Sequence, residues 1–279
     1  MANGPSPTLA SAAQKAAFRW LPPGAVQTLK NFFGAVHFSG DFETWPAAKS
    51  KCEGYGADAI LERVTAGALE VKEGRAVYER DSLVFHEKAY EWPALACLLW
   101  AANRAGGELS VLDFGGSLGS RYFQHRNWLV GLKSVRWSIV EQENFVRVGR
   151  DKFQDDVLRF YDDVDGCVAA EKPNVLHLSS VLQYLEKPYE MLDGLLNKGF
   201  DVILLDRTPL IDGSTDRLTV QRISKRIYPA SYPAWFFARA RLLQAFEGRY
   251  RLVEDFDALD RANIAGAKYS GFLFERISR

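Results

Sequence analysis

The sequence predicts an α/β protein: a three-layer sandwich on a seven-stranded, mostly parallel sheet, preceded by a helical extension of about 100 residues. Three observations carry this. From Glu108 onward, "LSVLDF", "VRWSIVE", "VLRFYD", "PNVLHLSS" and "FDVILLD" recur about every 20–25 residues, with gaps that fit crossover helices. "YRLVEDF" and "AKYSGFLFERI" then follow closely and read as an antiparallel pair closing the sheet edge. Hydrophobic residues make up 47% and charged residues 25%, ordinary for a folded soluble protein, and 279 positions suffice for one large domain or a domain with a smaller appendage.

Residues 1–105 are the expected helical extension or cap, and residues 106–279 the sheet domain. The first residues, to about Pro7, read as disordered. Thr8 to Leu21 reads as a short helix capped by Thr8 and stopped by Pro22-Pro23. Residues 1–40 carry Lys15, Arg19 and Lys30 and no acid, so this aromatic, basic helix packs on its own domain or makes weak contact with a membrane surface through residues 8–21. Helices follow near Thr44–Cys52 and from Ala57, after a Gly-Tyr-Gly turn. "HEKAYEWPALACLLWAANRAGGE" reads as a buried helix opened by His86 and ended by Gly106-Gly107. Beyond the fifth strand, residues 207–233 read as an irregular aromatic and basic stretch and Ala234–Glu247 as a helix.

Composition also excludes classes of function. The formal net charge is zero, so no global field draws the chain to nucleic acid. Cys52, Cys97 and Cys167 stand apart, without the spacing of a zinc site or a disulfide scaffold, and fit a reducing cytoplasm. No metal site is expected. Trp92–Ala102 is too short to span a bilayer, and no signal-peptide pattern opens the sequence. Neutrality hides local imbalance: residues 141–171 hold nine acids and four bases, residues 207–251 nine bases and three acids.

The stretch most telling for function is "VLDFGGSLGS". A buried strand ends in Asp113, and Gly115, Gly116, Ser117 and Gly119 shape the turn after it. In parallel sheets ligands bind beyond the carboxyl ends of strands, and glycines let a backbone approach them closely. A purely structural turn is the alternative. Ser117 breaks the G-x-G-x-x-G spacing of dinucleotide sites, and an acid at the lip suits an amine better than a pyrophosphate. The second strand ends at Glu141-Gln142, where an acid can take ribose hydroxyls.

Asp113, the G-G-x-x-G turn and Glu141 together resemble the class I S-adenosylmethionine-dependent methyltransferases, a Rossmann-like family. "NVLHLSSVLQYL" and "FDVILLDRTPL" resemble its fourth and fifth strands, and the likeness covers roughly residues 108–279. "GYGADAIL", "VLDFGGSLG" and "SSVLQYL" also resemble methyltransferases of bacterial surface-polysaccharide (O-antigen and lipopolysaccharide) gene clusters. The resemblance implies S-adenosyl-L-methionine as cofactor. It places Asp113 at the amino-acid end, Glu141 and Gln142 at the ribose, Asp162 or Asp163 at the adenine amino group, and Ser179 and Ser180 beside the cofactor. It implies methyl transfer to an oxygen of a sugar or other polar small acceptor.

Catalytic candidates sit where the sheet would open: Tyr184 after strand four, Asp206 ending strand five, and His86 reaching in from the extension. His177 reads as a core histidine, and His125 as a surface or cofactor-adjacent one. "RIYPASYPAWFFARAR" reads as an aromatic lid that also serves as substrate wall, with Arg207, Arg226, Tyr228 and Tyr232 as acceptor contacts. The basic surplus is either solvated surface or a grip on an anionic handle. Two other functions stay open: a non-catalytic interaction protein on a cofactor fold, and an NAD-dependent sugar-modifying enzyme.

Overall fold

The computed structural model describes residues 36–53, 57–80, 83–86, 91–224 and 230–277. The expected helix at 8–21 and the candidates Arg226 and Tyr228 lie outside them. The sheet domain begins at β4 (Glu108–Phe114), after the segment that supplies β1 (Val36–Ser39), α1 (Trp45–Lys49), α2 (Ala57–Lys72), β2 (Tyr78–Arg80), β3 (Leu83–Phe85) and α3 (Trp92–Arg104). Next come α4 (Ser120–Leu129), β5 (Ser134–Val140), α5 (Glu143–Lys152), β6 (Leu158–Tyr161), α6 (Val164–Glu171) and β7 (Val175–Ser179). A 3₁₀ turn (Leu182–Tyr184), α7 (Pro188–Leu196) and β8 (Val202–Ile211) follow. The chain closes with β9 (Arg217–Ile223), β10 (Ala230–Ala238), α8 (Arg239–Gln244), β11 (Tyr250–Asp257) and β12 (Ala267–Arg276).

The parallel strands stand in the order β6-β5-β4-β7-β8, and β12 lies antiparallel between β8 and β11. These are the seven strands the apolar runs predict. Their period-2 pattern buries both faces. Val111 of β4 and Leu204 of β8 pack with α3, α4 and α5, while Leu112 and Leu205 pack with α6, α7 and α8. The order reverses between β4 and β7, the first and fourth strands of the parallel run, so a crevice opens there beyond their carboxyl ends.

The strand β8 does double duty. Its first half pairs with β7, from Val175↔Val202 to Ser179↔Asp206. Its last residues pair with β10 at Phe237↔Leu210 and Ala238↔Ile211. Between the two halves Arg207 takes a left-handed φ of 53°, and the β12 register shifts opposite this point. The irregularity falls where β8 leaves β7 and passes to β10, through which β9 and β1 extend the same sheet.

These strands correct two expectations. The stretch expected to be irregular contains the end of β8, β9 and the start of β10; and the helix expected over Ala234–Glu247 is only Arg239–Gln244, because residues 230–238 form β10. Alanines and arginines there raise helix propensity, yet Trp235, Phe236 and Phe237 favour strands, and pairing with β9 and β8 decides the outcome. Likewise α3 starts at Trp92 with Pro93 in its first turn, and His86 lies outside it, after β3. The extension, expected to be helical, also supplies β1 to the main sheet and the β2–β3 hairpin.

An amide clasp fixes β1. Asn263 Oδ1 accepts from the Phe38 N–H at 2.7 Å, and its Nδ2 donates to the Phe38 carbonyl at 2.8 Å. Phe38 meets Phe236 edge-on at 5.0 Å beneath it. Asn263→Ala strands both backbone groups and is expected to cost about 1–3 kcal/mol. Urea unfolding measures the loss, and faster amide exchange at Phe38 localises it.

Candidate functional site

Strand periodicity delivers a polar stripe to one end of one sheet face. Val111, Val175 and Leu204 face α3 and α4, so Asp113, His177 and Asp206, each two residues on, face the same way beyond the apolar core. Asp113 is 1% exposed. Its Oδ2 accepts from Trp137 Nε1 at 2.9 Å, and its Oδ1 lies 3.1 Å from His177 Nδ1. Gly116 lies directly over it: a Cβ there would stand 2.6 Å from the carboxylate. Gly115, at φ 72°, presses against Val181, where a Cβ would come within 2.5 Å of Cγ2. The turn rests on a buried, doubly held carboxylate. Ser117 adopts φ 55° in the middle of it, a left-handed conformation that costs roughly 1–2 kcal/mol.

Glu141 closes the turn from β5. Its Oε1 accepts from the Ser117 N–H at 3.3 Å and its Oε2 from the Gln142 N–H at 2.8 Å. Burial pushes its carboxyl up, the two backbone N–H groups oppose this, and Asp113 adds to the rise. Gln142 caps α5. Asp163 caps α6, accepting from the Gly166 N–H at 2.7 Å, whereas Asp162 is exposed and meets Arg150 at 2.9 Å. Of the two, Asp162 has the carboxylate less committed to the fold.

At the ends of β7 and β8, Ser179 Oγ donates to Asp206 Oδ2 at 3.1 Å and accepts from Arg121 Nη2 at 3.2 Å. Arg121 Nη2 also lies 3.2 Å from Asp206 Oδ2, and Nη1 lies 2.5 Å from Glu91. Burial, then the nearby Glu91 charge, push the Asp206 carboxyl up to about 6, with Arg121, His177 and Arg207 pulling the other way. Ser180, at φ 54°, accepts from Gln183 Nε2 at 2.8 Å. Farther along, Tyr184 donates to Gln221 Oε1 at 3.0 Å and meets Tyr232 edge-on at 5.2 Å, which ties the 3₁₀ turn to β9 and β10.

Other candidates fall elsewhere. His86 is exposed, and its Nδ1 lies 3.2 Å from the Arg75 carbonyl. Arg207 is buried and forks onto Asp260, with Nη2 at 3.0 Å and Nε at 3.1 Å. The basic stretch is largely paired: Arg217 with Asp41, Arg239 with Asp255, Arg241 with Asp216, Arg249 with Asp193 and Arg251 with Glu275. Among the described residues no group of acids, histidines and cysteines fits a metal ion, and no helix is long and apolar enough to cross a membrane.

The sequence reading passes over Arg121, Glu91, Trp137 and Gln221. Arg121 and His125 are four apart on α4, the pattern of one helix face, which was the available signal. His125, expected at the surface or beside the cofactor, is 1% exposed, and neither ring nitrogen has a hydrogen-bond partner among the described residues.

No family model and no curated protein matches the sequence. Among solved structures, the chain is similar to an S-adenosylmethionine-dependent methyltransferase from Clostridium acetobutylicum ATCC 824 at TM-score 0.44 and 9% identity, over 67% of this chain and 92% of that one. It is similar to the N-terminal domain of EvdMO1, solved with S-adenosylhomocysteine and D-fucose, at 0.45 and 15%, over 81% and 98%. Magnesium protoporphyrin IX methyltransferase from Synechocystis PCC 6803, with bound S-adenosylmethionine, gives 0.43 and 11%, over 97% and 100%. Likeness this distant leaves the function to rest on the site's own residues.

Burial, with Arg121 adding, lowers His125 from 6.5 to about 3. The unfolded chain takes the proton first, so His125 contributes stability above about pH 6.5 that is lost as pH falls toward 3. Between pH 7 and pH 5 the wild type is expected to lose about 2 kcal/mol through this group, and His125→Gln is expected to lack that component. Urea unfolding of both proteins at both pH values checks it.

Proposed function

We propose that the chain is an S-adenosylmethionine-dependent methyltransferase whose residues 106–279 bind the cofactor and whose residues 1–105 cap the site. The observation that carries this reading is Glu141 bonded to the backbone of a glycine-rich turn at the switch point of the sheet. Each Glu141 oxygen accepts one backbone N–H and keeps lone pairs for a ribose diol. Gly115 and Gly116 leave backbone, not side chain, facing the crevice. Gln142 flanks the ribose, Asp162 reaches the adenine amino group, and Ser179 and Ser180 border the far end. Asp113 supports the amino-acid end from below rather than by contact, since its oxygens already face Trp137 and His177. The cap reading draws on Glu91 pairing with Arg121 and Glu79 accepting from Ser120, both in the first turn of α4.

The cofactor would supply an electrophilic methyl group on sulfur. The protein's task is then alignment and one proton. As the acceptor oxygen bonds the methyl carbon and the carbon–sulfur pair returns to sulfur, the acceptor's O–H proton passes to Asp206. Asp206 Oδ2 is engaged by Ser179 and Arg121, and Oδ1 carries no hydrogen bond from the described residues. Tyr184, Gln221 and Tyr232 present hydroxyl and amide groups beside aromatic rings, chemistry that suits a sugar or another neutral polar acceptor, including one from surface-polysaccharide synthesis. The pairing of the basic stretch favours a neutral acceptor over an anionic one.

A NAD-dependent enzyme fits less well. Where a dinucleotide fold completes a second parallel half, this sheet turns back in the antiparallel pair β11–β12. The left-handed Ser117 favours, as a second reading, an interaction protein that keeps the cofactor fold without turnover.

Calorimetry with S-adenosylhomocysteine and NAD separates these readings: the first is expected to bind and the second not. Glu141→Ala leaves ribose hydroxyls unpaired and is expected to weaken S-adenosylhomocysteine by roughly 1–3 kcal/mol, and unchanged affinity would reject the ribose role. With an acceptor in hand, kcat/KM is expected to rise with pH through about 6, the value to which Asp206 is pushed. Asp206→Asn is expected to lose on the order of 10²–10⁴-fold in kcat.

A further inference from the structure

We propose that Glu91 is a positioning residue that keeps Asp206 ready to accept a proton, by drawing Arg121 out of a full pairing with it. The proposal rests on the role given to Asp206 above. Its basis is a contrast between two adjacent residues of β8. Arg207 and Asp260 show what complete pairing looks like in this protein: Nε reaches both carboxylate oxygens, at 3.3 and 3.1 Å, and Nη2 adds a contact at 3.0 Å. Asp206 has no such fork. Arg121 turns Nη1 to Glu91 at 2.5 Å and to Gln124 Oε1 at 3.0 Å, and gives Nε to Ser179 Oγ at 3.3 Å. Only Nη2 approaches Asp206, at 3.2 Å, and it is shared with Ser179.

Two buried carboxylates therefore divide one guanidinium. The side chains of Glu91, Arg121 and Asp206 are 13%, 10% and 2% exposed, so water does little to screen them. A carboxylate fully forked by Arg121 would be a poor base, and one with no cation nearby would stay protonated near neutrality. Sharing places Asp206 between these limits. The other groups that face it are His177 from β7, Arg207 beside it on β8 and Cys97 from α3, while His125 faces Arg121 and Glu91 from α4. Among the described residues, Glu91 is the further acid whose charge acts on Asp206, and it comes from the segment ahead of α3, so the cap sets the chemistry of a strand end in the sheet domain.

The test is the titration of the two carboxyl carbons by NMR in ¹³C-labelled full-length protein, assigned with Asp206→Asn and Glu91→Gln. In the wild type, Asp206 and Glu91 are expected to move in two steps with shared midpoints, the behaviour of coupled sites. In Glu91→Gln the Asp206 midpoint is expected to fall by about one pH unit, because the amide keeps the shape and removes the repelling charge. Independent single steps in the wild type, or an Asp206 midpoint unmoved in a folded Glu91→Gln protein, would overturn the proposal. The wild-type measurement decides alone if the variant does not fold. Neither readout needs an acceptor or a cofactor. Failure of S-adenosylhomocysteine to bind the wild type would therefore sink the methyltransferase reading without touching the coupling, and an uncoupled pair would sink the coupling alone.

Discussion

The site depends on one buried carboxylate. Asp113 ends the central strand β4 at 1% exposure, gripped by Trp137 from β5 and His177 from β7. An isolated charge at this depth would cost several kcal/mol. Two side-chain partners from the neighbouring strands offset that cost and lock the three strand ends in register. The glycine turn is laid on top, and Gly116 has no Cβ because the carboxylate occupies the space a Cβ would need. A feature that reads in the sequence as an acid offered to a ligand is, in the fold, the footing of the glycine turn.

The same logic extends outward along the strand ends. Parallel strands buried on both faces become polar only where the core runs out, and on the face of α3 and α4 that boundary carries Asp113, His177, Ser179 and Asp206. These groups need donors, and α4, which starts straight after the turn, supplies Arg121 from its first helical residues. The residue that satisfies the strand ends is thus held in place by the turn that Asp113 supports. The irregularity at Arg207 then passes β8 on to β10, and beside it Tyr184, Gln221 and Tyr232 meet. The glycine turn and the carboxylates under and beside it follow from where three adjacent strands stop.

The seven-stranded sheet was legible because each strand is a near-continuous apolar run bounded by polar residues, a local signal. The strands β9 and β10 were not: they pair with each other as a hairpin, but what anchors that hairpin lies elsewhere, since β1 is more than 180 residues away in sequence and β10 shares only Phe237 and Ala238 with β8. Arginines, Gln221 and Tyr232 within the two strands mask their alternation. At the site, Asp113, Glu141, Ser179 and Asp206 were legible as residues ending strands. What each does was not. Whether Asp113 points to a ligand or to Trp137, and whether Arg207 is free or forked onto Asp260, depends on elements that arrive from elsewhere in the chain. Glu91 and Arg121 carry no motif, and they matter only because the start of α3 meets α4, through their ion pair and through Trp92 edge-on to Trp128.

A crystal structure of the protein with S-adenosylhomocysteine is the most direct test of the claim that a buried Asp113 supports the turn and Glu141 reads the ligand. The account predicts ribose hydroxyls on the Glu141 carboxylate, the ligand backbone against Gly115 and Gly116, and Asp113 still bonded to Trp137 and His177 beneath them. A ligand seated away from the β4–β7 crevice, or an Asp113 carboxylate swung out of its pocket to bind the ligand directly, would contradict it.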